Sequence, residues 1–153
     1  MNLLFKAAKF TNSKDSIYLT YIRSIIEQSS VVWHSSLTKR NINDLERVQK
    51  AAAKVIMGKN YTTYKNALQF LRIDNLDKRR EKLCLSFAKK CLKNEKVKDL
   101  FPLHKSKHQM KKRKVKKFQT KTSYTKRYQK SALPYMRKLL NDDYEEKCSI
   151  FAK

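Results

Sequence analysis

The run Asn75-Leu76-Asp77-Lys78-Arg79-Arg80-Glu81-Lys82-Leu83-Cys84-Leu85-Ser86-Phe87-Ala88-Lys89-Lys90-Cys91-Leu92-Lys93 decides the fold class. Leu76, Leu83, Cys84, Phe87, Ala88, Cys91 and Leu92 form a seam whose steps suit one face of an α-helix. Lys78, Arg79, Lys82, Lys89 and Lys90 fill much of the rest of the cylinder, so the opposite face is cationic. A helix of this kind needs other helices to cover its seam, and the flanking sequence supplies them.

On the N-terminal side, Ile17, Tyr21, Ile22, Ile25, Ile26, Ser29, Val32 and Trp33 keep the same steps, which predicts one helix over residues 13–33 with Ser13 as its cap. His34-Ser35-Ser36 is a polar break. A second helix is expected from about Lys39, with Ile42, Leu45, Val48, Ala52, Val55 and Ile56 as its stripe and Gly58 as a left-handed cap. A third, shorter one over residues 62–71 uses Tyr64, Ala67, Leu68 and Leu71, with Thr62 or Thr63 capping. Beyond the quoted run, Pro134 suits the first position of a last helix carrying Met136, Leu140, Tyr144 and Cys148 at steps of four, with Asp142, Asp143, Glu145 and Glu146 on an acidic side. One glycine and two prolines are too few for the hairpins of a sheet protein. The expected architecture is all-α: a bundle of four main helices over residues 1–101, a basic flexible arm over 102–131 and a C-terminal amphipathic helix over 132–153.

Charge points to the partner. The 37 Lys and Arg face 13 Asp and Glu, a formal charge of +24 that repels itself unless an anion neutralises it. Between Leu103 and Lys130 there are twelve Lys or Arg and no acid, with few aliphatic residues to bury. Lys111, Lys112, Arg113, Lys114, Lys116, Lys117, Lys121, Lys126, Arg127 and Lys130 are the candidate phosphate-neutralising residues, and Phe118, Tyr124 and Tyr128 among them have rings that can stack on unpaired bases. Interleaved aromatic and polar residues favour nucleic acid over an anionic membrane, with low sequence specificity because point charges read no base edge. The plainer reading of the same run is a solvated lysine-rich tail or a nuclear-localisation signal.

No catalytic constellation emerges. His34, His104 and His108 have no partner at a useful local spacing and are expected at the surface. Asp142-Asp143 sits among further acids on an amphipathic segment, the pattern of a solvated face and not of a two-metal centre. Cys84, Cys91 and Cys148 are too widely spaced for a zinc site and are expected as reduced, buried thiols. One glycine excludes a glycine-rich phosphate loop, so no cofactor or metal is expected. The longest uncharged stretch, residues 28–38, is half polar and too short to span a bilayer. Lys6 and Lys9 interrupt the N-terminal apolar run, so secretion is not expected and the cytosol or nucleus is.

Three segments carry a family likeness: Tyr21-Ile22-Arg23-Ser24-Ile25-Ile26-Glu27, Val31-Val32-Trp33-His34-Ser35-Ser36-Leu37 and Leu45-Glu46-Arg47-Val48-Gln49-Lys50-Ala51-Ala52. In order and spacing they resemble the region after the palm in reverse transcriptases of non-LTR retrotransposons, the jockey-like group. Residues 64–71 and Leu76-Asp77-Lys78-Arg79-Arg80-Glu81-Lys82-Leu83 continue the likeness, which covers about residues 17–101 and is looser through Ala132-Leu133-Pro134-Tyr135. The resemblance implies the helical thumb and C-terminal extension that grip the template-primer duplex of an RNA-directed DNA polymerase. It sets Arg23, Arg47, Lys50, Arg79 and Arg80 near the nucleic-acid backbone, although Arg47 can equally pair with Asp44 and Arg80 with Asp77. The palm's paired aspartates, the fingers, an endonuclease domain and a zinc knuckle have no counterpart in this sequence. The expectation is therefore a truncated fragment that binds RNA, DNA or their hybrid without polymerase activity. An inert, marginally folded retroelement relic and a stand-alone helical protein-interaction module are the alternatives.

Overall fold

In a computed structural model of the chain, residues 14–103, 117–120 and 124–151 are described, the side chains of residues 147–151 excepted. The fold is all-α: among the described residues there is no strand, and the β-structure is one isolated antiparallel bridge between Leu103 and Phe118. The chain forms two compact units, Met1–Ser30 with Leu37–Glu81 and Val31–Ser36 with Lys82–Lys153.

The first expected helix is divided. Helix α1 (Lys14–Ile17) passes through a π-helical turn, Tyr18–Ile22, into α2 (Arg23–Glu27), where the Arg23 amide donates to the Tyr18 carbonyl. A π turn inserts one residue into the helical repeat and rotates the face that follows. Tyr18 is buried and Ile22 packs against the core, while Tyr21 and Ile25, expected in the stripe, lie outside at 59% and 72% exposure. The helix then stops at Ser29, whose φ of 52° is left-handed, and restarts as α3 (Ser30–Trp33) followed by a 3₁₀ turn, His34–Ser36.

Helix α4 (Lys39–Met57) fits the sequence reading closely. Thr38 accepts from the Asn41 amide at its start, and Gly58 follows its end. Gly58 has φ 54° with ψ −121°, so it is not the left-handed helical cap expected; this is the first central position of a type II′ turn, a conformation open to glycine. Helix α5 (Tyr64–Phe70) is capped by Thr63. It closes in a Schellman arrangement, Ile73 N–H to Leu68 O at 3.0 Å and Arg72 N–H to Gln69 O at 3.2 Å, with Arg72 at φ 53° where glycine is usual. Tyr18, Ala52 and Ile73 form the core of this unit, with Val55, Leu68 and Leu71 against it. Buried Gln49 donates its side-chain amide to the Asp74 carbonyl at 3.0 Å, tying α4 to the entrance of helix α6 (Leu76–Lys93).

In the second unit the core is Ala88 and Cys91 of α6, Phe101, Phe118, and Met136 and Leu140 of the last helix. Cys84 and Cys91 are buried thiols as expected; Phe87, expected in the seam, is 46% exposed. A 3₁₀ turn (Lys98–Leu100) leads into Phe101. The final helices are α7 (Lys126–Gln129) and α8 (Ala132–Phe151). Helix α8 opens two residues before Pro134, which is tolerated because first-turn amides have no intrahelical acceptor.

Two stability tests follow from this packing. Phe118→Ala is expected to cost about 3 to 5 kcal/mol in urea unfolding, as for other buried aromatics, whereas Tyr124→Ala stays within about 0.5 kcal/mol. The positive-φ sites should respond with opposite signs: Gly58→Ala costs about 1 to 3 kcal/mol, and Arg72→Gly stabilises by up to about 1 kcal/mol.

Candidate nucleic-acid interface

The basic segment enters and leaves the helical scaffold at a defined place. Phe101 and Phe118 are both buried, and the Leu103–Phe118 bridge is backed by the Gln119 amide donating to Pro102 O at 2.9 Å. Asn141 on α8 takes both backbone groups of Phe118: the Phe118 amide donates to Oδ1 at 2.8 Å and Nδ2 donates to the Phe118 carbonyl at 3.1 Å. A side-chain amide used this way replaces a missing strand neighbour and satisfies a buried peptide. One residue earlier, Lys117 Nζ stands 4.9 Å from the centre of the Tyr144 ring, a cation–π distance. Phe118 is thus a core residue at 5% exposure, which corrects its reading as a base-stacking ring.

Arg137, one turn before Asn141, is buried and directs Nε and Nη2 at the Leu100 carbonyl, 3.1 and 2.6 Å away. This charge-assisted pair holds the turn that delivers Phe101. Neither Arg137 nor Asn141 stood out in the sequence, yet they sit four apart beside the Met136–Leu140 stripe, a polar pair against an apolar face.

Tyr124 to Lys130 are all exposed. Thr125 caps α7 by accepting from the Tyr128 amide, and Ser131 Oγ donates back to the Tyr128 carbonyl at 2.7 Å. Around that turn Lys126, Arg127 and Lys130 are exposed, with Tyr124 fully exposed and Tyr128 41% exposed. The sequence places no acid between Leu103 and Lys130, so this surface has positive charge with no local compensation along the chain. Lys111, Lys112, Arg113, Lys114, Lys116 and Lys121 lie outside the described residues.

The five helical candidates fare unequally. Lys50 is exposed and Arg23 half-buried. Arg47 is exposed and lies 3.4 Å from Asp44, a surface pair worth at most about 1 kcal/mol. Arg79 is engaged with Glu27 at 2.5 Å, both largely covered. Arg80 has no accessible surface and lies 3.7 Å from Asp77, so in this conformation it offers nothing to a phosphate. Its position on the helix decides this, since it falls one turn after buried Leu76 and one turn before buried Cys84.

His34, expected at the surface, is buried, with its ring 5.5 Å from that of Tyr135 at 72° and Nε2 3.3 Å from the tyrosine hydroxyl. On the acidic side of α8, Asp143 accepts from Lys89 at 2.8 Å. Among the described residues no group of His, Cys, Asp and Glu is placed to hold a metal ion, and no helix is long and apolar enough to cross a membrane.

In the first unit, burial pushes the Tyr18 hydroxyl well above the ordinary phenol range, with Arg23 opposing and Glu27 and Glu46 adding. Tyr64 is raised for the same first reason and by donating to Glu46. Both phenols stay neutral in the fold while those of the unfolded chain ionise near pH 10. Their contribution is therefore fully present below about pH 10 and is lost as pH rises above it. Urea unfolding at about pH 8 and about pH 11 should show a fall in stability that is smaller in the Tyr18→Phe and Tyr64→Phe variants; an equal fall in all three would contradict this.

Comparison with protein-family models, with curated proteins and with solved structures finds no match for this chain.

Proposed function

We propose that this chain holds nucleic acid, RNA, DNA or their hybrid, by its phosphate backbone, with little base discrimination and no catalysis of its own. The observation that carries the reading is the exposed Lys126–Arg127–Lys130 turn, anchored on α8 at the end of a run of twelve cations without an acid. Each lysine or arginine that meets a phosphate releases a condensed counterion, and that entropy supplies affinity whatever the base sequence. Lys117, Lys126, Arg127 and Lys130, with the cations of residues 111–121, are the proposed contacts; on the first unit, taken by itself, Lys50 and Arg47 are exposed candidates. Arg79 and Arg80 act instead as internal cations, matched by Glu27 and Asp77. The likeness to the thumb and extension of a retrotransposon reverse transcriptase agrees with this role, because that part of the enzyme grips and does not react. The parent activity, RNA-directed DNA synthesis, is not assigned to this chain.

A protein-interaction module is the second reading. What favours it is the pair Tyr21 and Ile25, exposed one turn apart on α1–α2. The two readings separate cleanly, because charge removal at residues 126–130 leaves a protein-binding face untouched.

Filter binding of a mixed-sequence oligonucleotide over a salt series tests the main reading. About six to ten phosphate contacts give a log-log slope of about −5 to −9. The Lys126→Ala, Arg127→Ala, Lys130→Ala triple variant should flatten that slope by about 1 for each phosphate that is no longer neutralised, with the unfolding curve unchanged. Affinity indifferent to salt would end the proposal.

A further inference from the structure

Phosphate contact alone favours duplex, which carries a charge every ~1.7 Å of axis against ~3.4 Å along one strand. The two exposed tyrosines argue for the opposite preference. We infer that Tyr124 and Tyr128 form a stacking site for unpaired bases, so that the ligand of the basic segment is single-stranded nucleic acid. The inference rests on the phosphate-binding reading above and narrows its substrate.

Of the three rings in the basic segment, Phe118 is held in the core, whereas Tyr124 is 101% and Tyr128 41% exposed. A fully exposed tyrosine gains nothing from packing, and its ring offers a planar apolar face to a ligand. The rings are also not on a loose tail. Thr125 Oγ1 caps the turn between them, the Gln129 and Lys130 amides donate to Thr125 O and Lys126 O at 3.2 Å, and Ser131 is tied to Tyr128 O. Tyr124 stands just before the extended cap Thr125 and Tyr128 is the third residue of α7, so one short turn carries both rings. Lys126, Arg127 and Lys130 lie between and just beyond the rings, where they can neutralise the phosphates of the same two or three nucleotides. Alternating cations and π faces is the arrangement by which sequence-tolerant single-strand binders work. A duplex keeps its base faces stacked internally and offers the tyrosines only edges and sugars.

Charge also matches an anionic lipid surface, on which tyrosines sit at headgroup level. The absence of any aliphatic residue between Lys121 and Ser131 favours the nucleic acid, because nothing in the segment would enter the acyl region.

The test compares the full chain with its Tyr124→Leu/Tyr128→Leu and Tyr124→Phe/Tyr128→Phe variants, using a labelled mixed-sequence oligodeoxynucleotide, single-stranded or annealed to its complement, at matched low ionic strength. The leucine variant is expected to lose about tenfold or more in single-strand affinity, less than about twofold on duplex, and to keep the salt slope. The phenylalanine variant should retain wild-type affinity, and far-UV dichroism should be the same for all three. Equal losses on both ligands, or no loss on either, overturn the stacking site while leaving the salt-dependent phosphate reading standing. A salt-independent affinity overturns both. Tyrosine-dependent binding to phosphatidylserine-containing vesicles, with single-strand affinity unchanged, overturns the stacking site in favour of a membrane.

Discussion

The long helices of this chain must bury apolar seams while a formal charge of +24 pushes the chain apart, and that opposition shapes most of what is seen. Several of the most buried positions are small: Ala52, Ala67, Cys84 and Ala88 have almost no accessible surface, as do the larger Tyr18 and Leu76. Small residues let backbones approach and leave the long cationic side chains on the rims, where they keep their hydration. The cations that do come inside are matched individually, Arg79 by Glu27, Arg80 near Asp77, and Arg137 by the Leu100 carbonyl. Asp143 likewise accepts from Lys89. Along the sequence the excess charge is concentrated between Leu103 and Lys130, where there is no acid at all.

That concentration is fixed to the fold by uncharged contacts. Phe118 in the core, Asn141 on both of its backbone groups, and the bridge to Leu103 hold one end of the basic run, and the Thr125-capped turn beside α8 holds the other. Lys126, Arg127 and Lys130 stay exposed on that anchored turn. A segment fixed in this way loses less entropy on meeting a polyanion than a loose tail of the same composition.

Helix identity was legible in the sequence wherever a three-four periodicity met a clear boundary: α4 between Thr38 and Gly58, α5 after Thr63, α6 after Asn75. What was not legible came from non-glycine residues in left-handed conformations. Ser29 and Arg72 stand where cap glycines would, and nothing in their identity announces it. The π turn at Tyr18–Ile22 was hidden for a related reason, since a uniform repeat places Ile25 on the same face as Ile22 and the inserted residue turns it outward. For the candidate site, the cationic run and the three rings within it could be read directly. Composition could not tell Phe118 from Tyr124 and Tyr128, because the difference lies in Asn141, twenty-three residues away, closing on one backbone and not the others. Arg80 was misplaced among the phosphate contacts because charge suggests a surface, while its helical phase, shared with Leu76 and Cys84, says otherwise.

Backbone phosphate as the recognised group can be tested by changing that group alone. In competition against a bound mixed-sequence oligonucleotide, an oligonucleotide of the same sequence with an uncharged methylphosphonate backbone should fail to displace it, while the phosphodiester form displaces it fully. Equal displacement by the two would show that bases or sugars carry the affinity, and would contradict recognition through phosphate.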